Sequence, residues 1–368
     1  MTNIPLVDLG WQRDQISAEV EAGWAQVLER TAFIDGPAVA EFEGAFAAYC
    51  GTARCVGVAN GTDAIELALR ALDIGAGDEV ILPANTFIAT AEAVVRAGAT
   101  PVLVDQDEAS FLIDVGQAAE SVGARTRAIA GVHLYGQIAP LERLAPIAEE
   151  RGLVLVEDAA QSQGATRNGK GMGSHGRVAA TSFYPGKNLG AYGDAGAVLT
   201  DDDELADRIA TIRAHGSRVR YRHDEMGVNS RLDTLQAVVL SAKLARLDEW
   251  NRLRREAAAR YDELLADIEE VVTPTTLDGN EHVWHLYVVR VPDRDRVLEA
   301  LQSEGIGAAI HYPVPVHLHP AFDFLGQGVG SFPVAERVAA EILTIPLYPG
   351  ITADQQSRVA TALHDALA

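Results

Sequence analysis

A chain of 368 residues, 48% hydrophobic and 22% charged, has the balance of a globular protein with one large domain and a smaller one. Its formal net charge of −22 excludes non-specific binding to nucleic acid or to an anionic membrane, since both need a basic surface. Cys50 and Cys55 are too few for a disulfide framework or a four-ligand zinc site, and no window approaches the ~20 apolar residues of a membrane span.

The opening MTNIPLVDLGWQRDQ has neither a basic start nor an apolar run, so a cytoplasmic protein is expected. From residue 54 short apolar runs alternate with helical patterns. CVGVA precedes the helix TDAIELALRAL, and DEVILP precedes FIATAEAVVRAG. TPVLVD comes next, RAIAGVHLYG precedes the helix LERLAPIAEERG, and LVLVEDAA, VAATSFY and GAVLT follow. This order predicts an α/β fold, an open and mostly parallel sheet covered by helices on both faces. Such sheets bind ligands beyond the carboxyl ends of their strands, which singles out Asn60, Asp158 and Ser182.

Two phosphate-loop strings fail on context. GATRNGKG, residues 164–171, ends in Gly171 where a metal-binding hydroxyl is needed, and no helix follows. Gly171, Gly173 and Gly176 match G-x-G-x-x-G without a buried strand before them; Asn168-Gly169 predicts a β-hairpin instead. Beyond residue 201 come the helix DELADRIATIRAHG, an arginine-rich loop at 218–231 and a long helical pattern from about 232 to 266. The strand VWHLYVVRV at 283–291, a helix, a Pro-rich loop at 311–320 and a final helix complete the chain. A large domain is expected over 1–245 and a small C-terminal α/β domain over 246–368. His311, His317 and His319 have no neighbouring carboxylate in HYPVPVHLHP, so that loop is not expected to hold a metal.

In TSFYPGKNLGAYGDAG, Lys187 sits among Pro185, Gly186, Gly190 and Gly193 with no helical apolar period. Tight turns of this kind fix an amine in place, although a solvent-facing turn lysine has the same local signature. Gly61-Thr62 opens a helix, where free N–H groups and the helix dipole form an anion cradle or simply a cap. Asp158 ends the run LVLVED, where a carboxylate faces a cationic ring nitrogen or caps a helix. Ser182 ends VAATS five residues before Lys187, suited to a second phosphate donor. An amine, an acid for a ring nitrogen and an anion cradle are what pyridoxal phosphate requires.

The segments NGTDAIELAL, TFIATAEAV, VHLYGQ, VEDAAQSQGA, TSFYPGKNLGAYGDAGAV, NSRLDTLQA and IHYPVPVHLHPAF occur in order. Together they resemble the DegT/StrS family of sugar aminotransferases, of the aspartate-aminotransferase fold type, over essentially the whole chain. The resemblance implies that Lys187 carries pyridoxal phosphate, Asp158 pairs with its ring nitrogen, Gln161 meets its ring hydroxyl and Phe87 stacks on the ring. It implies that Gly61, Thr62 and Ser182 hold the phosphate. Asn229 would reach the phosphate of a neighbouring subunit, making a homodimer the catalytic unit. Some relatives carry histidine at the lysine position and act as dehydratases; Lys187 argues for amino transfer.

The expected reaction moves nitrogen from L-glutamate to a nucleotide-linked keto sugar. The motifs most resemble the subgroup acting on dTDP-3-keto-6-deoxyhexoses, which makes dTDP-3-amino-3,6-dideoxyhexoses. A dTDP-4-keto sugar or a UDP-linked 3-keto sugar is the alternative substrate, and a non-catalytic cofactor-binding regulator is the alternative of another class. Tyr184, His311 and Tyr312 are expected near the sugar. Arg218 and Arg220, beside Arg222 and Arg231, form either a diphosphate clamp or a solvated basic loop.

Overall fold

A computed structural model describes residues 3–219 and 221–368. Seven strands build one sheet: β1 (Arg54–Val58), β2 (Glu79–Pro83), β3 (Thr100–Val104), β4 (Thr126–Val132), β5 (Val154–Asp158), β6 (Val178–Ser182) and β7 (Gly196–Thr200). Their spatial order is β1-β7-β6-β5-β4-β2-β3. All neighbours are parallel except β7, which runs antiparallel to both β1 and β6. Helices cover both faces, so the strands are buried along nearly their whole length, which is why they read as continuous apolar runs. β5 and β6 end side by side, delivering Asp158 and Ser182 to the same edge of the sheet.

The helix Gly61–Ala71 shows how sequence sets this edge. Asn60 caps it by accepting the Asp63 N–H at 2.8 Å, and Asp63 and Arg70 stand at the ends that match the helix dipole. Its Ala64, Ile65, Leu67 and Leu69 are buried in the core over the sheet.

Several elements depart from the sequence expectation. Two N-terminal helices, Leu9–Arg30 and Pro37–Cys50, precede the sheet. The first buries only Gln12, Ile16, Val20 and Val27, a stripe too sparse to announce itself. The long helix breaks at Ala245–Arg246 into Thr234–Leu244 and Leu247–Leu265. No Gly or Pro marks the break; the first half packs on the N-terminal helices and the second on Ala353–Leu367. The closing segment is two helices, Pro333–Glu341 and Ala353–Leu367, around a strand Ile342–Ile345 that pairs with Tyr287–Arg290. A separate core gathers there around Tyr261, Tyr287, Leu301, Leu343 and Leu363, and Ile4 joins it from the N-terminal segment.

The expected hairpin is present: Thr166–Arg167 pairs antiparallel with Lys170–Gly171, and Asn168 and Gly169 supply the two positive φ angles, 50° and 76°. The glycines of the failed phosphate loop serve the protein itself. Glu157 accepts N–H bonds from Gly173 (2.7 Å), His175 (2.9 Å) and Gly176 (2.6 Å), and His133 Nε2 donates to it at 2.9 Å. Burial opposes the Glu157 charge, but His133 and these amides outweigh it and hold the carboxyl below its usual range.

Lys243, on Thr234–Leu244, is 1% exposed, and among the described residues no carboxylate pairs with it. Burial pushes its ammonium down to about 8, and its nitrogen lies 5.1 Å from the Tyr192 ring centroid. Lys243→Met is therefore expected to raise stability at pH 7 by about 2 kcal/mol, the shift less the lost cation–π contact. The folded pKa lies below the unfolded value of 10.5, so the wild-type penalty is complete below pH 8 and fades as pH rises from 8 to 10.5. Urea unfolding at pH 7 and 9.5 checks this: the gain should shrink at the higher pH, and no gain at pH 7 would refute it.

Candidate active site

A cavity of about 460 Å³ opens at the carboxyl ends of β1, β5 and β6 and is closed on its other side by His285–Leu286 and His311–Tyr312. Lys187 enters it from a tight turn after β6. The turn is closed by the backbone, with Lys187 N–H on Tyr184 O and Ala191 N–H on Phe183 O, both 2.8 Å. A Cβ at Gly190 would overlap the Pro185 carbonyl, so only glycine closes it. The Lys187 side chain lines the cavity. Burial pushes its pKa down to about 8, with the Asp158 charge opposing. Roughly a tenth of it is then free amine at pH 7, against far below 1% for an ordinary lysine.

Two imidazoles share this wall. Burial, with the Lys187 charge adding, holds His285 well below its ordinary value and His311 down to about 4. Asn188 fixes the His285 tautomer. Its Nδ2 donates to Asn251 Oδ1 (2.8 Å) and Val283 O (2.9 Å), so its Oδ1 is the acceptor for His285 Nδ1–H at 3.2 Å. His285 Nε2 is therefore a lone-pair acceptor. His311 Nδ1 lies 2.8 Å from Thr344 Oγ1.

Asp158, 6% exposed, terminates β5 with both oxygens engaged: Oδ1 accepts from Ala160 N–H (3.1 Å) and Oδ2 from the Thr90 hydroxyl (2.6 Å). An ionised carboxylate has about four lone-pair positions, so it keeps capacity for one more donor from the cavity. Gln161 Oε1 accepts from Tyr135 N–H (2.6 Å) and its Nε2 donates to Tyr312 OH (3.0 Å), and among the described residues its second amide hydrogen has no partner. Phe87 faces Tyr312 with ring centroids 5.0 Å apart.

At the opposite end lies an anion cradle. Among the described residues the Gly61 and Thr62 N–H groups have no partner, as expected for the first turn of a helix. Ser182 Oγ accepts from Tyr184 N–H at 3.2 Å, which leaves its hydroxyl hydrogen to donate. A Cβ at Gly61 would stand 2.6 Å from Ser182 Cβ, so any larger residue fills the cradle.

The expected residues Gly61, Thr62, Phe87, Asp158 and Gln161 line this cavity, as do Ser182, Tyr184, Lys187, His311 and Tyr312. Asn229 and Arg218 do not: both are exposed, and Arg218 Nε donates to Thr211 Oγ1 at 3.1 Å. Arg220 lies outside the described residues. Sequence reasoning missed Thr86, His133, Asp194 and His285, which also line the cavity. All four lie in quoted strings: Thr86 in TFIATAEAV, His133 in VHLYGQ, Asp194 in TSFYPGKNLGAYGDAGAV and His285 in VWHLYVVRV. His311, His317 and His319 go to separate partners, Thr344, Glu336 and the Val314 carbonyl.

A weakly basic lysine, a facing carboxylate and a glycine-lined anion cradle in one cavity define a site for a phosphorylated pyridine aldehyde. The donor set fits pyridoxal phosphate at each end, and the fold is that of pyridoxal-phosphate-dependent aminotransferases. Residues 14–364 match the DegT/DnrJ/EryC1/StrS aminotransferase family, and the chain belongs to that family. The chain is 46% identical to a pleiotropic regulatory protein of Geobacillus stearothermophilus, over 97% of this chain and 96% of the relative. It is 45% identical to the dTDP-3-amino-3,6-dideoxy-alpha-D-galactopyranose transaminase of Aneurinibacillus thermoaerophilus, over 98% and 99%. The crystal structure of S. venezuelae DesV superposes with a TM-score of 0.97 at 44% identity, covering 99% of this chain and 98% of that one. Among the described residues no helix is long and apolar enough to cross a membrane.

Proposed function

We propose that this aminotransferase moves the amino group of L-glutamate to carbon 3 of a dTDP-3-keto-6-deoxyhexose, giving a dTDP-3-amino-3,6-dideoxyhexose. The observation that carries amino transfer is the convergence of Lys187 and Asp158 in one cavity with the Gly61–Ser182 cradle. The choice of sugar is supported by the 45% identical transaminase from Aneurinibacillus thermoaerophilus.

When bound, pyridoxal phosphate supplies an aldehyde for the amine and a ring that withdraws electrons from the carbon that bears it. Gly61 N–H, Thr62 N–H and the Ser182 hydroxyl would bind its phosphate. Asp158 would accept a hydrogen bond from the protonated ring nitrogen and so keep it protonated, the remaining Gln161 amide hydrogen would meet the ring hydroxyl, and Phe87 would cover one face. Lys187 Nζ is the amine that would hold the cofactor through its aldehyde. The same nitrogen, when free, would be the group that takes a proton from the substrate carbon bearing nitrogen and gives it up to the cofactor's side of the site, a role that its pKa of about 8 suits near neutrality. His285, which burial and the Lys187 charge keep neutral, lines the same cavity. His311, Tyr312 and Tyr184 turn the sugar so that only one carbonyl meets the amine. Two substrates use one site in turn, so ping-pong kinetics are expected.

Incubation with ¹⁵N-L-glutamate and each dTDP-linked keto isomer, followed by NMR of the product, tests the reading. Label at carbon 3 is expected; label at carbon 4 only, from the 4-keto isomer, overturns the choice of sugar and leaves amino transfer intact. The 46% identical relative named a regulatory protein favours a second reading, a cofactor-binding regulator without turnover. Bound cofactor with no labelled product from any keto sugar nucleotide would select it.

Asn229 is exposed and outside the cavity of its own chain, which suits service to a neighbouring subunit's phosphate in a homodimer. Mixing Lys187→Ala with Asn229→Ala subunits is then expected to restore activity, because some sites in the hybrids carry neither defect. Strictly additive behaviour would place Asn229 outside any shared site.

A further inference from the structure

We propose that Thr86 and Thr90 form a hydroxyl relay that positions Asp158, and so governs the grip on the cofactor's ring nitrogen; this rests on the cofactor reading above. Thr90 lies in the first turn of the helix Ile88–Arg96 and is fully buried. The neighbouring Ala91, Ala93 and Val94 of that helix belong to the hydrophobic core, where a hydroxyl without a partner is costly. Helical threonines commonly turn the hydroxyl back onto the carbonyl four residues earlier. Thr90 instead reaches across to Asp158 Oδ2 on β5, at 2.6 Å.

The direction of the relay follows from proton counting. An ionised carboxylate only accepts, so the single Thr90 hydroxyl hydrogen is spent on Asp158. The Thr86–Thr90 contact at 2.7 Å must then have Thr86 as donor. Thr86 lines the cavity and immediately precedes Phe87, so the relay ties the ring-facing aromatic and the acid to one helix start. With Ala160 N–H on Oδ1 and Thr90 on Oδ2, the plane of the Asp158 carboxylate is fixed by two donors on its protein side. Its remaining lone pairs are left for the cavity. Chains of this kind polarise each other, so losing Thr90 removes more than one contact.

Valine matches threonine in shape, so Thr90→Val deletes the hydroxyl and little else. Three readouts on wild type, Thr90→Val and Thr90→Ser test the relay. They are the dissociation constant of pyridoxal phosphate from the apo-protein, the ¹⁵N shift of the bound, ring-labelled cofactor, and the apo-protein's thermal midpoint. Thr90→Val is expected to bind the cofactor about tenfold more weakly, the scale on which an outer hydrogen-bond partner changes ligand affinity. Its ring-nitrogen signal is expected to move towards the unprotonated value, with both effects rescued in Thr90→Ser. Should Thr90→Val fail to fold, Thr90→Ala carries the same expectation. An unchanged nitrogen signal and affinity in a folded variant overturn the relay while leaving the cofactor reading intact. Wild-type protein that binds no pyridoxal phosphate overturns both.

Discussion

Lys187→Ala is expected to lower turnover by at least about four orders of magnitude, because the covalent anchor and the proton carrier are the same nitrogen. The loss should be chemical rather than structural. The turn that carries Lys187 is closed by the Tyr184–Lys187 and Phe183–Ala191 backbone hydrogen bonds and by Gly190, none of which involves the lysine side chain. Removing an amine that burial already disfavours as a cation leaves the apo-protein no less stable at neutral pH. Lys187→Arg is expected to be equally inactive, since a guanidinium keeps the charge but cannot give up its proton at this pH. Single-turnover kinetics with ¹⁵N-L-glutamate measure the effect; turnover above about 1% of wild type would remove Lys187 from the chemistry.

Asp158→Asn is expected to cost about two to three orders of magnitude in kcat, with a smaller change in KM for the sugar. A carboxylate accepts at both oxygens, and here both already receive a proton, from Ala160 N–H and from Thr90. An amide offers one acceptor and one donor group. With Nδ2 towards Ala160 an N–H faces an N–H. With Nδ2 towards Thr90 the hydroxyl pair must reverse, Thr90 accepting from the amide and donating to Thr86. In both poses the ring nitrogen faces a neutral amide in place of a carboxylate. The ring then loses the partner that keeps its nitrogen protonated. Rates within tenfold of wild type would mean that Asp158 only holds the end of β5.

The parts of the site that were legible in sequence are those whose chemistry coincides with a local backbone signal. Asp158 and Ser182 stand at the ends of buried strands, Gly61 and Thr62 at a capped helix start, and Lys187 in a glycine-marked turn. The alternation of apolar runs and helical patterns gave the parallel sheet for the same reason. His285 was hidden because VWHLYVVR reads as one strand. In the structure the strand is only Tyr287–Arg290, and Trp284, at φ 49°, turns the chain so that residues 283–286 dock on Tyr135 and Gly136. Thr90 was hidden because a polar residue early in a helix signals nothing about a carboxylate 68 positions away. The string at 171–176, rejected as a phosphate loop, does bind an anion through its Gly173 and Gly176 N–H groups, the protein's own Glu157. The break at Ala245–Arg246 carries no Gly or Pro and is set by which layer each half packs against.

The measurement closest to the central claim is borohydride reduction of the protein loaded with pyridoxal phosphate, followed by proteolysis and mass spectrometry of every lysine peptide. The cofactor mass is expected on Lys187 alone, and prior addition of L-glutamate should abolish the label. A cofactor mass on Lys170 or on the buried Lys243, or no labelled lysine at all, would contradict the assignment of Lys187 as the residue that carries the cofactor.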